Sequence, residues 1–215
     1  MAQVDVFLSV GATATEEQEA FVRAVEDRLR SEGIVPHTVG RNTFSADAPL
    51  KTATQLMDKC SGAVVIALER SFFPSGTEKR GGPNEVTLTN VKLPTPWNHI
   101  EAAMAYSRNL PLIVIVERDL KNEGLLEEGY DWYVQRVKLE PVALNSNEFN
   151  GILASWKDRM VQRPSRSTTS RPLTDLTVAE LIGGLKPTQL WSLLVALAAL
   201  VAGAFALGGK LFGVP

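Results

Sequence analysis

Pro96-Trp97-Asn98-His99-Ile100-Glu101-Ala102-Ala103-Met104-Ala105-Tyr106-Ser107-Arg108-Asn109-Leu110-Pro111-Leu112-Ile113-Val114-Ile115-Val116-Glu117 reads as a helix feeding a buried strand. Pro96 suits a helix start, and Ile100, Met104 and the alanines give an apolar face at helical spacing. Leu110-Pro111 is the expected stop, because the residue before a proline is pushed out of the α region. Leu112–Val116 is a continuous, mostly β-branched run, as in a strand covered on both faces. Glu101 is expected in the first helical turn, where the helix dipole favours a carboxylate. An acid there is either a helix-stabilising group or a catalytic one, and the residues alone leave both open.

Outward from this stretch, strands and helices alternate. Val4–Val10 is a short apolar strand. Thr15 and Gln18 have capping-box spacing ahead of a helix that buries Phe21, Val25 and Leu29 and stops at Gly33. Ile34–Val39 is a second strand, placed near an edge by Pro36. A helix from Asp47-Ala48-Pro49-Leu50 to about Lys59 follows, with Asp47 as its expected cap. Ala63–Leu68 is a central strand. Glu69–Pro96 reads as a long loop with a short strand near Val86–Leu88, and such loops are usually lids or binding loops. A last strand is expected within Val134–Leu139 and a terminal helix over Phe149–Val161. The alternation predicts an α/β domain with a doubly wound parallel sheet over residues 1–161.

The totals narrow the function. The chain has 215 residues and a formal net charge of -2, which argues against nucleic-acid binding. Cys60 is the only cysteine, and His37 and His99 are the only histidines. No disulfide or cysteine-based metal site is therefore expected, and a reducing compartment fits. His99, beside Asn98, is expected on the exposed side of its helix. Gly-x-Gly-x-x-Gly, the P-loop pattern and a serine nucleophile elbow are all absent.

The far end differs in character. Residues 162–186 form a basic Ser/Thr/Pro-rich linker followed by a short amphipathic piece, and residues 187–210 are expected to be a single C-terminal transmembrane helix, since Leu190–Leu207 carries no charge. Trp191 suits an interface. Arg163, Arg166, Arg171 and Lys186 precede this stretch and only Lys210 follows it, which predicts a single-pass inner (cell) membrane protein with the N-terminal domain in the cytoplasm. The lipid bilayer is thus an expected partner, and small-residue faces such as Ala198-x3-Ala202 allow self-association.

In open α/β sheets ligands bind beyond the carboxyl ends of the strands. The candidates there are Ser9, Gly11, Arg41, Asp47, Arg70, Trp97 and Glu101. Val4-Asp5-Val6-Phe7-Leu8-Ser9 resembles the first box of Toll/interleukin-1 receptor (TIR) domains, and Trp97-x-x-x-Glu101-x-x-x-Ala105 is similar to their Trp-Cys-x-x-Glu-x-x-x-Ala motif, without the cysteine. Ile100–Tyr106 ahead of Leu110-Pro111-Leu112 also resembles nucleoside 2-deoxyribosyltransferases. Both resemblances imply a flavodoxin-like fold and a glutamate, here Glu101, that cleaves an N-glycosidic bond of NAD+ or a related nucleotide. Trp97 would then stack on a base and Arg41 or Arg70 would meet phosphates; the nucleotide is substrate or ligand and no cofactor is implied. By the same resemblance, such proteins serve in bacterial antiviral defence and act as oligomers. Two other readings share this chain: a nucleotide-signal receptor whose transmembrane helix disrupts the membrane, and an adaptor without catalysis.

Overall fold

The structure, a computed structural model, describes residues 3–162. The strands are β1 (Val4–Val10), β2 (Ile34–His37), β3 (Gly62–Ala67), β4 (Ser71–Glu78), β5 (Val86–Leu93), β6 (Leu112–Glu117) and β7 (Tyr133–Val137). The helices are α1 (Glu16–Ser31), α2 (Pro49–Met57), α3 (Pro96–Ser107) and α4 (Asn147–Gln162). Five strands form one sheet in the order β2-β1-β3-β6-β7, every neighbouring pair parallel. Strand order reverses between β1 and β3, since the chain runs from β1 outward to β2 and then returns across it.

Period-two alternation along the strands builds two cores. Val6 and Leu8 of β1, Val64 and Ile66 of β3 and Ile113 and Ile115 of β6 meet α1 and α4 through Phe21, Val25, Phe149, Leu153 and Trp156. Phe7, Ala63, Val65, Val114 and Val116 face the other way and meet α2 and α3 through Ala53, Met57, Ala102 and Ala105. Both faces of the sheet are therefore covered, which is why β3 and β6 read as unbroken apolar runs. Pro36 sits in the edge strand β2, where a missing N–H is tolerated.

Local signals hold at most element ends. Thr15 caps α1, its hydroxyl accepting from Gln18 N at 3.2 Å. Gln18 Oε1 accepts from Ala14 N at 2.8 Å, one residue short of the reciprocal partner expected in a capping box. Gly33 takes φ +78° after α1, the left-handed conformation that suits glycine. Gly62 lets α4 approach β3: a Cβ there would lie 2.6 Å from Met160 Sδ and 2.9 Å from Trp156 Cζ2. The Trp156 indole donates to Pro111 O at 2.8 Å, fixing that ring.

Three expectations are corrected. The long Glu69–Pro96 loop is instead a two-stranded antiparallel ribbon of β4 and β5, paired from Ser71 with Leu93 to Glu78 with Val86. Most of its residues are exposed, so it carries little strand-like burial; a Lys92–Glu69 ion pair (3.0 Å) ties its base and a Lys121–Glu78 ion pair (2.9 Å) its turn end. Asp47 does not cap α2: Ala48 holds that position without a side-chain bond, and the Asp47 carboxylate accepts from Lys51 at 2.8 Å. The α3 helix buries Asn98, Ala102 and Ala105 rather than Ile100, which is 43% exposed. Small side chains let α3 lie close to the sheet and turn Ile100 outward. Among the described residues no helix is long and apolar enough to cross a membrane. The expected transmembrane helix at 187–210 lies outside the described residues, as does the linker beyond residue 162.

Candidate functional site

A cleft of about 320 Å³ opens where the strand order reverses, at the carboxyl ends of β1 and β3. It is lined by Val10, Gly11 and Ala12 after β1, by Val39 and Pro49, and by Arg70, Thr95, Trp97 and Glu101. This is the position at which open α/β sheets bind ligands.

The placement of Glu101 bears on the two readings of that residue. Thr95 is the N-cap of α3, accepting from Trp97 N at 3.4 Å, and Pro96 is the first helical residue. Glu101 therefore falls in the second turn, and α3 has no acid in its first. The helix dipole acts mainly within the first turn, so it gives little reason for an acid here. Burial pushes the Glu101 carboxyl above the ordinary range, and the nearby Ser9 hydroxyl opposes part of that rise. A carboxylate kept in a cleft at a cost in desolvation is a functional candidate on physical grounds.

The other expected residues divide. Trp97 is 44% exposed, lines the cleft and sits one turn before Glu101, with an indole face available for stacking. Arg70 lines the rim and is exposed, and no ion pair engages it among the described residues. Gly11 permits a close approach, because a Cβ there would lie 2.9 Å from Thr95 Cγ2. Ser9 is 1% exposed, behind Glu101.

Arg41 does not join them. Its guanidinium forks onto Glu19 at 2.7 and 3.0 Å and its Nε donates to Glu26 at 2.8 Å, so the expected phosphate contact is replaced by an internal ion-pair network. That network holds the Glu19 carboxyl down to about 2, through the Arg41 and Thr13 hydrogen bonds first. Asp47 is exposed and engaged with Lys51, and it too is absent from the cleft lining. Glu16, Glu17 and Glu19 occupy the first turn of α1, which disfavours an anion at that helix end.

Asn98 escapes the sequence reading, which sets it beside His99 on the exposed side of α3. It is 1% exposed, and its amide donates to Ser9 Oγ and to Ile66 O, both at 3.2 Å. Spacing carried the signal: positions 98, 102 and 105 form one helical stripe with two alanines. Cys60 is buried, its thiol pushed up to about 12 by desolvation and then by Asp5, which makes it inert. No group of His, Cys, Asp and Glu among the described residues has the geometry to hold a metal ion.

No family model matches the chain, and no curated protein matches it in sequence. Among solved structures it is similar to the CMP N-glycosidase BcmB of Clostridium botulinum, at 16% identity over 66% of this chain and 96% of that one, with a TM-score of 0.40. It is also similar to a conserved protein from Enterococcus faecalis, at 13% identity over 74% of this chain and 99% of that one, with a TM-score of 0.38. The NanR protein of Vibrio vulnificus, complexed with ManNAc-6P, matches at 16% identity over 74% of this chain and 53% of that one, with a TM-score of 0.37. Likenesses at this level carry no argument about chemistry, which rests on the cleft itself.

Proposed function

We propose that this domain cleaves the N-glycosidic bond of a nucleotide, NAD+ or a relative of it, with Glu101 as the working carboxylate. One observation carries the reading: a half-buried carboxyl in the second turn of α3, with no helix-capping role, lines a cleft at the switch point of the sheet. As the bond from C1′ to the base nitrogen breaks, its electron pair leaves with the base and positive charge grows on the sugar. An ionised Glu101 beside C1′ stabilises that charge in a site partly screened from water, or attacks it to form a glycosyl ester. Water then supplies the hydroxyl at C1′; its proton passes to solvent when the neutral nicotinamide of NAD+ has left, and to the base when an ordinary nucleobase has left as its anion. Trp97 stacks on the base, and Arg70, at the rim and without an ion pair among the described residues, meets a phosphate.

The remaining parts of the proposal concern context. A span at 187–210 anchors the protein in the inner (cell) membrane with this domain in the cytoplasm, and self-association there, as in TIR-like proteins of antiviral defence, concentrates the clefts. The test is base release from NAD+ and from nucleoside monophosphates by the full-length protein in lipid vesicles. Wild type is expected to release base, and Glu101→Gln to lower the rate by roughly 10²–10⁴-fold. Equal rates in the two would refute the assignment of Glu101. Arg70→Ala is expected to raise KM far more than it lowers kcat.

A further inference from the structure

Asn98 is costly where it stands. A buried amide costs free energy unless its groups are paired, and Asn98 Oδ1 has no partner among the described residues. Its neighbours on the same stripe, Ala102 and Ala105, show that an apolar side chain packs there at no such cost. An unsatisfied buried polar atom of this kind calls for a reason beyond packing. The reason lies in what the other end of the amide joins. One Nδ2 group donates to Ser9 Oγ on β1 and to Ile66 O on β3, the two strands between which the order reverses.

We propose that Asn98 is a positioning residue whose amide staples α3 across β1 and β3 and holds the Ser9 hydroxyl turned toward Glu101. With an Asn98 hydrogen already on Oγ, the hydroxyl's own hydrogen is directed to another acceptor. Ser9 is buried, and the Glu101 carboxyl, one turn further along α3, is the nearby acceptor its hydrogen can be directed to. The staple thus fixes both the height of Glu101 over the strand ends and the one donor that supports its ionised form. Arg70 is the other charged group lining the cleft, and Val39 and Pro49 bring no charge to it.

The inference rests on Glu101 being the carboxylate of the proposed cleavage, but its test reads the carboxyl directly. Full-length protein carrying [5-13C]glutamate is titrated by NMR, with the Glu101 resonance assigned by its loss in Glu101→Gln. Asn98→Leu, which keeps the volume and removes the amide, is expected to move the Glu101 midpoint to higher pH. Ser9→Ala is expected to move it the same way, and the double variant no further than Ser9→Ala alone. An unmoved midpoint in Asn98→Leu, or shifts that add fully in the double variant, would overturn the proposal. Should Asn98→Leu not fold, Asn98→Thr, whose hydroxyl serves only one of the two acceptors, makes the same comparison. Failure of both to fold makes Asn98 a folding residue and also overturns it. If the midpoint behaves as expected while no nucleotide loses its base, the cleavage reading fails and the staple stands. Base release with a midpoint insensitive to Asn98 means the reverse.

Discussion

Replacing Glu101 by glutamine should make this protein more stable at neutral pH while removing its proposed chemistry. Glutamine keeps the shape of the side chain and leaves an oxygen near the Ser9 hydroxyl, so little packing changes. What disappears is the cost of holding a carboxylate out of water, the cause that raises the Glu101 pKa. The sign follows from linkage. A carboxyl whose folded pKa lies above its unfolded value binds more protons in the folded state, so its ionisation removes stability as pH rises from the unfolded pKa through the folded one. Above that window wild type carries the full penalty; below it wild type is protonated in both states and carries none. Substitutions that relieve such functional strain commonly gain about 0.5–2 kcal/mol. For a body of this size that is a rise in Tm of roughly 1–8 °C. Urea unfolding of wild type and Glu101→Gln from pH 7.5 down to pH 4 measures it, in about half-unit steps chosen to bracket ordinary carboxylate values. The reasoning predicts a gap favouring the variant that closes as pH falls. A variant less stable than wild type at pH 7.5, or a gap independent of pH, would refute it.

Trp97→Ala should change unfolding stability by less than about 0.5 kcal/mol, since the side chain is 44% exposed, while weakening nucleotide binding measured by calorimetry. Arg41→Ala should cost on the order of 1–3 kcal/mol at pH 7 by breaking the Glu19 and Glu26 bonds, without a specific effect on base release. Because the Glu19 pKa is depressed to about 2, its share of that cost is present above the unfolded carboxylate pKa and should fade as pH falls toward about 2, which acid unfolding curves of the two proteins will show. Gly62→Ala should destabilise by about 1–3 kcal/mol in urea unfolding. The new methyl meets Met160, which can shift, and the Trp156 ring, which its bond to Pro111 O restrains.

The parallel sheet was legible because burial on both faces writes itself as unbroken apolar runs, as in Ala63–Leu68 and Leu112–Val116. The ribbon of β4 and β5 was legible only in part: Val86-Thr87-Leu88-Thr89 alternates as a strand does, whereas Ser71–Glu78, exposed and interrupted by Pro74 and Gly76, has neither alternation nor a long apolar run. Pro96 marks the start of α3 in sequence and in structure, while Glu101 lies one turn deeper than the first-turn expectation. Counting from Pro96 as the first helical residue would have put it in the second turn. Arg41 looked like a phosphate ligand because its position at a strand end is visible in sequence, whereas its partners Glu19 and Glu26 lie fifteen or more residues away on α1. Asn98 was hidden for the opposite reason, since an asparagine beside a histidine looks like surface until its stripe with Ala102 and Ala105 is drawn.

The central claim is that the bond broken lies between C1′ and a base nitrogen, with Glu101 at C1′. Incubating the full-length protein with NAD+ in water enriched in oxygen-18, and weighing the products by mass spectrometry, tests it most directly. The account predicts intact free base, a ribosyl product carrying one heavy oxygen at C1′, and neither product from Glu101→Gln. Heavy oxygen on a phosphate with the base still attached, or the same products from Glu101→Gln, would contradict it.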